Sequence, residues 1–541
     1  MQGIKMNMKT SLEKNMAGRG TFGDGIRRSA KRLKNKTHIV FYDHNKERSE
    51  FTYEEVNEKA NKVAHAMIEE FDVGKGDKVA IISHNIPHFM FCWFGLTKIG
   101  AVVTAVNFSY NREEVSYQIN HVEPKVFIVE DSLIDLIDPI KKDLNSVEHF
   151  IGVSLTEKDI PSGWMDLDNI ISGNYSTDEP EVELDDTDLA MLVYTSGTES
   201  RPKGVMIQHR NYLSGTIPGW IRDVKMEESD TYFFCNPFYT ISGIGTFTLC
   251  SILGLTLILS YHLIPEDVLK MIENEKVTLI GQTPTFYIKL SQADGFKESN
   301  IDTLKKFLVY GGLIPRGMIE DWHKKNPNLR WGTYWGQSEL SQLGSVGWFN
   351  KIEDIPDEDP SWIGKPVFTL ETKVIDGEGK EIRSGVGELC CRGASVMMGY
   401  FKDEAKTSET MNGGWIHTGD QVRINEDGHM FFFDRKKDVI KTGGMNVSSF
   451  EVQDAINQHP AVLEVAVIGL KDEFWSERVT AFVITQDEAE VSEEDIKLYC
   501  KSKLAPYKVP KQVVFVKDFP RDNQGKLLKR ELRDTHQEPI N

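Results

Sequence analysis

The sequence predicts a mixed α/β fold: a large first domain built on parallel sheet with flanking helices, followed by a small α+β domain. Three observations carry this expectation. Strand-like apolar runs alternate with helical periods between Thr52 and Val129. A chain of 541 residues exceeds what one hydrophobic core usually organises. From Ser449 onward, two helical and two strand patterns fit into the size of one small domain.

Residues Met1 to Gly25 are polar and mixed, without a sustained period, and read as a loosely held arm. Thr52 and Glu55 then have capping-box spacing, and Tyr53, Val56, Ala60, Val63, Met67 and Phe71 mark one helical face. Lys78–Ile82, Ala101–Val106 and Lys125–Val129 read as strands, with an apolar helix around Phe89–Ile99; such alternation predicts parallel pairing through crossover helices. Pro180–Asp188 is an acidic linker into the strand Leu189–Val193. Ile241–Ser260 is apolar enough to span a membrane, but Gly254 divides it into a buried helix and a short strand. Glu275–Gly281 and Leu308–Gly312 are further strands ending in glycine. The last domain reads as helix Glu451–Gln458, strands Val462–Gly469 and Val479–Thr485, and helix Glu493–Lys503.

The chain carries 82 acidic against 63 basic residues, a net charge of -19, which excludes a nucleic-acid partner in need of a basic footprint. Its six cysteines have no metal-ligand spacing and lie mostly in apolar runs, so they are expected to be reduced and mostly buried. With no signal-peptide pattern and no transmembrane segment, the expected location is cytoplasmic.

The richest stretch runs from Tyr194 to Met206 and includes Thr195, Ser196, Gly197, Thr198, Lys203 and Gly204. Glycine lets backbone N–H groups approach an anion, hydroxyls donate to it, and Lys203 brings a mobile charge to a β- or γ-phosphate. An ordinary surface turn favours the same residue types, and the Walker A order is absent. Gly311 and Gly312 offer bare backbone to a flat base, or make a plain strand-to-helix turn. Thr333–Glu339 combines an aromatic surface with a hydroxyl and a carboxylate, suited to adenine, phosphate and Mg²⁺. By themselves, Gly413–Asp420 reads as a turn, Asp434–Gly444 as a solvated basic face, and Lys526 as an exposed lysine after a glycine turn.

Taken together, these motifs resemble, in order, those of the adenylate-forming enzymes: acyl-CoA synthetases, peptide-synthetase adenylation domains and luciferases. Thr195–Gly204 is similar to the phosphate loop, with Glu199 and Ser200 in place of Thr-Gly. Trp335–Glu339 is similar to the adenine and magnesium motif, with Trp335 for Tyr and Ser338 for Thr. Thr418–Asp420 resembles the ribose motif, Arg435–Gly444 the hinge and following loop, and Lys526 the catalytic lysine; the resemblance runs from near Thr52 to Lys526.

The resemblance implies a domain of residues 1–435, with β-sheets, flanking helices and a small barrel-like part, and a small mobile α+β lid of residues 436–541. It implies an AMP-forming acid–CoA ligase using ATP, Mg²⁺, coenzyme A and a small carboxylic acid. ATP or AMP would be held by Thr195, Ser196, Gly197, Thr198, Lys203, Gly311, Gly312, Trp335, Gly336, Ser338, Asp420, Arg435 and Lys526, and the metal by Thr195 and Glu339. Lys526 and Lys203 would serve adenylate formation, Lys441 the thioester step, Lys437 the hinge, and Gly443 and Gly444 the entry of pantetheine.

The acid would lie between Asn236–Gly243 and Gly281–Tyr287, stretches without an ionised side chain, which favours an apolar acyl chain. Tyr239 stands where many acyl-CoA synthetases have histidine, and Gly243 where a long-chain enzyme can carry a gating tryptophan; with Gly281 these form the expected acyl pocket. A medium- or long-chain fatty acid ranks first. An aryl or carnitine-like acid, an acyl-AMP ligase loading a carrier protein, a nucleotide-binding protein without turnover, and a homo-oligomer stay open.

Overall fold

Crossover helices force neighbouring strands to run the same way, and the alternation between Thr52 and Val129 is such a parallel sheet. Lys78–Ile82 pairs in parallel with Val102–Val106 on one side and Val126–Glu130 on the other. The helices Pro87–Lys98 and Arg112–Val122 make the connections. Leu189–Thr195 joins in parallel beside Val102–Val106, then turns back as the antiparallel strand Lys203–Gln208, outside which lies Gly399–Tyr400. These are strands of a computed structural model that describes residues 11–156, 158–195, 202–486, 491–521 and 527–536.

A second sheet has a parallel centre. Arg330–Trp335, Lys306–Val309, Leu279–Gln282, Thr231–Phe233, Thr256–Ser260 and Thr37–Tyr42 pair successively in parallel. The uncharged stretch supplies the helix Ile241–Leu253 and the strand Thr256–Ser260, separated by Gly254 at φ +96°. Among the described residues, no helix is long and apolar enough to cross a membrane. A crossover helix of one sheet packs on one of the other: Phe247 meets Phe89, Trp93 and Phe94 with ring centroids 6.0, 6.1 and 6.1 Å apart. The opening helix, Tyr53–Glu69, has the Thr52–Glu55 capping box, and its Tyr53 hydroxyl donates to the Leu255 carbonyl at 2.7 Å.

The N-terminal arm is not loosely held over its described part. Helices Ser11–Gly18 and Phe22–Leu33 form there, the second capped by Thr21. Phe22 and Ile26 are fully buried, Arg19 pairs with Asp24 at 2.9 Å, and an added Cβ at Gly25 would lie 2.6 Å from Ile252. The apolar positions Phe22, Ile26 and Ala30 recur every fourth residue, a helical stripe too short to stand out among the surrounding polar residues.

The described chain divides into two compact units. One holds the chain through Pro360 with Gly364–Glu371 and Cys391–Ile416, and the other holds Ser361–Ile363, Thr372–Cys390 and the chain from His417. The second unit contains the helix Ser449–Asn457, the antiparallel strands Val462–Asp472 and Ser476–Thr485, and the helix Glu493–Lys501, in the expected order. It adds the hairpin Ile440–Thr442 with Met445–Val447, the strand Gln512–Phe515 and the helix Lys529–His536, which the sequence pattern did not reveal. All six cysteines are free and buried.

The helices Tyr53–Glu69 and Pro87–Lys98 touch at Gly95, where an added Cβ would lie 2.6 Å from the Ala60 carbonyl oxygen and 3.0 Å from Val63 Cβ. Gly95→Ala gains helix propensity but forces the helices apart, so a net loss of about 1–3 kcal/mol is expected. Urea unfolding would measure it, and an unchanged midpoint would show that this contact yields freely.

Candidate active site

Thr195 and Lys203 are cross-strand partners at the loop end of the hairpin, so residues 196–202 connect them; Ser196, Gly197, Thr198 and Glu199 lie outside the described residues. The Lys203 ammonium sits 5.7 Å from the ring centroid of Tyr400, whose hydroxyl donates to Glu339 Oε1 at 2.9 Å. Backbone bonds fix this group: Phe401 N–H donates to the Gly204 carbonyl at 2.8 Å and Met397 N–H to the Glu339 carbonyl at 2.9 Å. Lys203 and Glu339 are therefore brought to one phenol ring from distant parts of the sequence. Tyr400 was not singled out from sequence, where a Gly-Tyr pair after an apolar run is only a strand ending.

The Glu339 loop follows the strand Arg330–Trp335 and depends on a close approach. An added Cβ at Gly336 would lie 1.5 Å from the Gln342 carbonyl oxygen, so no side chain is tolerated there. A single 3₁₀ turn, Ser338–Leu340, carries Ser338 and Glu339, and it is followed by Ser341 and Gln342 at φ +51° and +95°. Buried hydrogen bonds hold this left-handed pair: Tyr212 hydroxyl to Gln342 Oε1 at 2.7 Å, Gln342 Nε2 to Thr246 Oγ1 at 2.8 Å, Ser341 Oγ to the Ser395 carbonyl at 2.7 Å, and Thr216 Oγ1 to the Ser341 carbonyl at 2.9 Å. Trp335 packs over Gly344, where an added Cβ would be 2.4 Å from the indole, and stays 8% exposed. Most of its surface is thus covered by protein.

Gly311, at φ +73°, and Gly312 follow the strand Lys306–Val309 and are exposed; added Cβ atoms would come no closer than 3.5 Å to Thr283 and 3.4 Å to Pro284. Bare backbone is therefore presented at that strand end. For a metal, the donors in reach of this arrangement are the half-buried Glu339 carboxylate and the Thr195 hydroxyl, and among the described residues no group of three or more His, Cys, Asp or Glu could form a cage. That set fits Mg²⁺, which binds through one or two carboxylates and completes its shell with water and phosphate oxygens.

In the second unit, Asp420 and Arg435 are cross-strand partners, and Arg435 Nε lies 2.9 Å from the fully buried Asp420 carboxylate. Gly419, at φ +68°, lies within the strand Trp415–Ile424, and its carbonyl accepts from the Lys436 N–H at 2.9 Å. Lys437 is exposed in the turn after Arg435. Either side of it the chain is fastened: Asp434 accepts from Ser449 N–H and Oγ at 2.7 Å each, and Arg533 pairs with Asp438 at 2.7 Å. Burial raises the Asp434 carboxyl despite the nearby Lys529, whose own ammonium is pushed down by burial.

Lys441 is exposed on the hairpin, and its N–H donates to Glu477 at 2.6 Å. Gly443 and Gly444, at φ +55° and +79°, form its two-residue turn; positive φ at both positions is what a type I′ turn requires. Trp475, overlooked in the sequence, packs on this turn: its carbonyl accepts from Gly443 N–H at 2.8 Å, and Lys511 Nζ lies 4.8 Å over its ring. Lys526 lies outside the described residues.

At the expected acid pocket, Tyr239 is 6% exposed and meets Phe108 edge-on at 5.3 Å. Both glycines lie against protein on the side where a Cβ would stand. An added Cβ at Gly243 would lie 1.9 Å from the Pro237 carbonyl oxygen, because the first turn of the helix Ile241–Leu253 folds back on the Pro237–Phe238 backbone. At Gly281 the same atom would lie 2.3 Å from the Tyr232 hydroxyl, which fills that space. Behind Phe108 lies an ionisable pair: His84 stacks on it at 4.3 Å and shares a 3.0 Å hydrogen bond with the buried Glu130, which also accepts from Tyr261 at 2.8 Å. Burial opposes ionisation of Glu130, but the hydrogen bonds and charge of His84 together with the Ser132 hydroxyl outweigh it and keep the carboxyl below its usual value.

The AMP-binding enzyme family matches residues 26–401, and the AMP-binding enzyme C-terminal domain matches residues 451–526. Crotonobetaine/carnitine–CoA ligase of Proteus mirabilis is 30% identical over 511 residues, covering 92% of this chain and 96% of its own. Long-chain-fatty-acid–CoA ligase of Bacillus subtilis is 30% identical over 541 aligned residues, covering 94% and 93%. Among solved structures, the anthranilate CoA ligase AuaEII in complex with anthranoyl-AMP superposes with a TM-score of 0.85 at 26% identity, covering 96% of this chain and 97% of that one. The chain therefore belongs to the AMP-binding enzyme family, as one of its AMP-forming acid–CoA ligases, whose reaction uses ATP, Mg²⁺ and coenzyme A.

Proposed function

We propose that this protein joins an apolar carboxylic acid, a medium- or long-chain fatty acid, to coenzyme A in the cytoplasm. The observation that carries the two-step chemistry is the gathering of Lys203, Tyr400 and Glu339 at the mouth of the 195–203 hairpin. In the first step, a carboxylate oxygen attacks the α-phosphorus of ATP and the bond to the departing pyrophosphate breaks. Two anions must meet, so positive charge is needed: Lys203 on the outer phosphates and Lys526 between the carboxylate and the α-phosphate. Glu339 and Thr195 would hold Mg²⁺, which would supply further charge neutralisation. Asp420 and Arg435 hold the ribose, the Gly311–Gly312 backbone and Trp335 the base, and Ser338 the α-phosphate. In the second step, the CoA sulfur attacks the acyl carbon and AMP leaves with the bonding electrons. Residues 436–541 act as a lid about Lys437, exchanging Lys526 for Lys441 and the Gly443–Gly444 turn.

The similarity to a long-chain-fatty-acid ligase and the aromatic, uncharged surface of Tyr239 and Phe108 support the apolar acid. A second reading, a shorter carnitine-like acid, is favoured by the protein atoms that fill the space beside Gly243 and Gly281, and by the similarity to carnitine–CoA ligases. Aromatic faces also suit a quaternary ammonium.

Three outcomes are expected. With ATP, CoA and a mixed pool of acids, mass spectrometry should find fatty acyl thioesters ahead of all others; a betaine thioester as the main product would select the second reading, and acyl-adenylate without thioester would remove the CoA ligase. Lys526→Ala should lose acid-dependent pyrophosphate release by about a hundredfold or more, while still converting supplied acyl-adenylate to thioester. Lys441→Ala should show the converse, and Lys437→Pro, by fixing φ at the hinge, should keep adenylate formation but slow thioester turnover. Half-reaction assays read each step, and equal losses in both steps would remove the division of labour between the two lysines.

A further inference from the structure

We propose that His121 and Tyr117, on the crossover helix Arg112–Val122, are positioning residues that grip both ends of the phosphate hairpin. The inference rests on reading residues 195–203 as the phosphate loop of the ligase. The last residues on either side of the loop are reached by one helix. His121 Nδ1 and the Tyr194 hydroxyl share a 2.6 Å hydrogen bond at the end of the outgoing strand, and the Tyr117 hydroxyl donates to the Pro202 carbonyl at 3.3 Å where the chain returns. Tyr117 and His121 are four residues apart, one turn along the helix face, and their rings are nearly parallel, 8° apart with centroids at 5.7 Å. They form one stacked unit touching two strands.

Further contacts show that the grip is built. An added Cβ at Gly204 would lie 3.2 Å from the Tyr194 ring, so the missing side chain lets that ring lie across the hairpin towards His121. Tyr194 is 7% exposed, and burial raises its hydroxyl above the usual value, so it stays a neutral phenol. Phe401 meets the His121 ring edge-on at 5.6 Å, and Lys402 donates to the His121 carbonyl at 3.0 Å while pairing with Glu123 at 2.9 Å. The same helix is thereby tied to the segment that carries Tyr400. The paired ends of a hairpin beside its loop fray easily, whereas a polyphosphate needs several donors in place together before it arrives. Anchoring both ends to a helix packed on the sheet supplies that order without either residue touching substrate.

The test uses the full chain with His121→Ala, Tyr194→Phe, the double variant, and His121→Asn, whose amide can reach the place of Nδ1. Each is measured for kcat and KM with varied MgATP, for thioester formation from supplied acyl-adenylate, and for thermal unfolding. His121→Ala and Tyr194→Phe should lower kcat/KM for ATP about ten- to a hundredfold, the scale of a small misplacement of donors. Conversion of supplied adenylate and the KM for CoA should stay within about twofold. The double variant should be little worse than the worse single one, since both remove one bond, and His121→Asn should recover most of the loss. Unchanged kcat/KM for ATP in folded variants, equal losses in both half-reactions, or fully additive losses would each overturn the proposal. Equilibrium binding of MgATP to the wild type separates the premise from the inference: a wild type that binds no ATP removes the phosphate loop itself.

Discussion

Parallel strand pairing is the constraint on which the candidate site depends. When strands run the same way, every loop leaving a carboxyl end emerges along one edge of the sheet, and ligands in open α/β sheets collect there. In one sheet Leu189–Thr195 ends in the candidate phosphate hairpin; in the second, Lys306–Val309 ends in Gly311 and Gly312, and Arg330–Trp335 in Gly336 and the Glu339 loop. The register among Lys306–Val309, Arg330–Trp335 and Leu279–Gln282 keeps two of these ends level. The crossover helices impose that direction, and their tight contacts, such as Gly95 on Ala60, let them cover the sheets closely.

On that edge, precision comes from strain held down by buried hydrogen bonds. Two consecutive non-glycine residues in the left-handed region, Ser341 and Gln342, cost of order 1–3 kcal/mol each. The four buried bonds from Tyr212, Thr216, Thr246 and Ser395 each contribute about 1 kcal/mol, enough to offset most of that cost. What is gained is position: the turn that carries Glu339 has few alternatives. Tyr400 then joins Glu339 to Lys203: its hydroxyl donates to the carboxylate and its ring lies beside the ammonium.

The second unit applies the same economy with turns. The Gly443–Gly444 turn needs positive φ at both residues, and the segment around the proposed hinge is fastened at Asp434 and Asp438 with Lys437 exposed between them. The buried group of Asp434, Ser449 and Lys529 favours the arrangement in which all three are satisfied.

The sequence by itself determined the alternating elements, the capped opening helix, the helix–strand reading of the uncharged stretch and the family, because these depend on local periodicity, local caps and ordered short motifs. It could not reveal the Phe22–Leu33 helix as packed structure, since its short stripe is stabilised by burial against Ile252 and His209, residues far along the chain. Only tertiary structure decided that the Cβ side of Gly243 faces the Pro237 backbone and that of Gly281 the Tyr232 hydroxyl, because a glycine looks the same in sequence whether the space beside it is empty or occupied. Tyr400, His121 and Tyr117 likewise carry no local signal. Their roles arise from contacts across long sequence separations, such as Tyr117 to Pro202 and Tyr400 to Glu339, and such contacts exist only once the chain has folded.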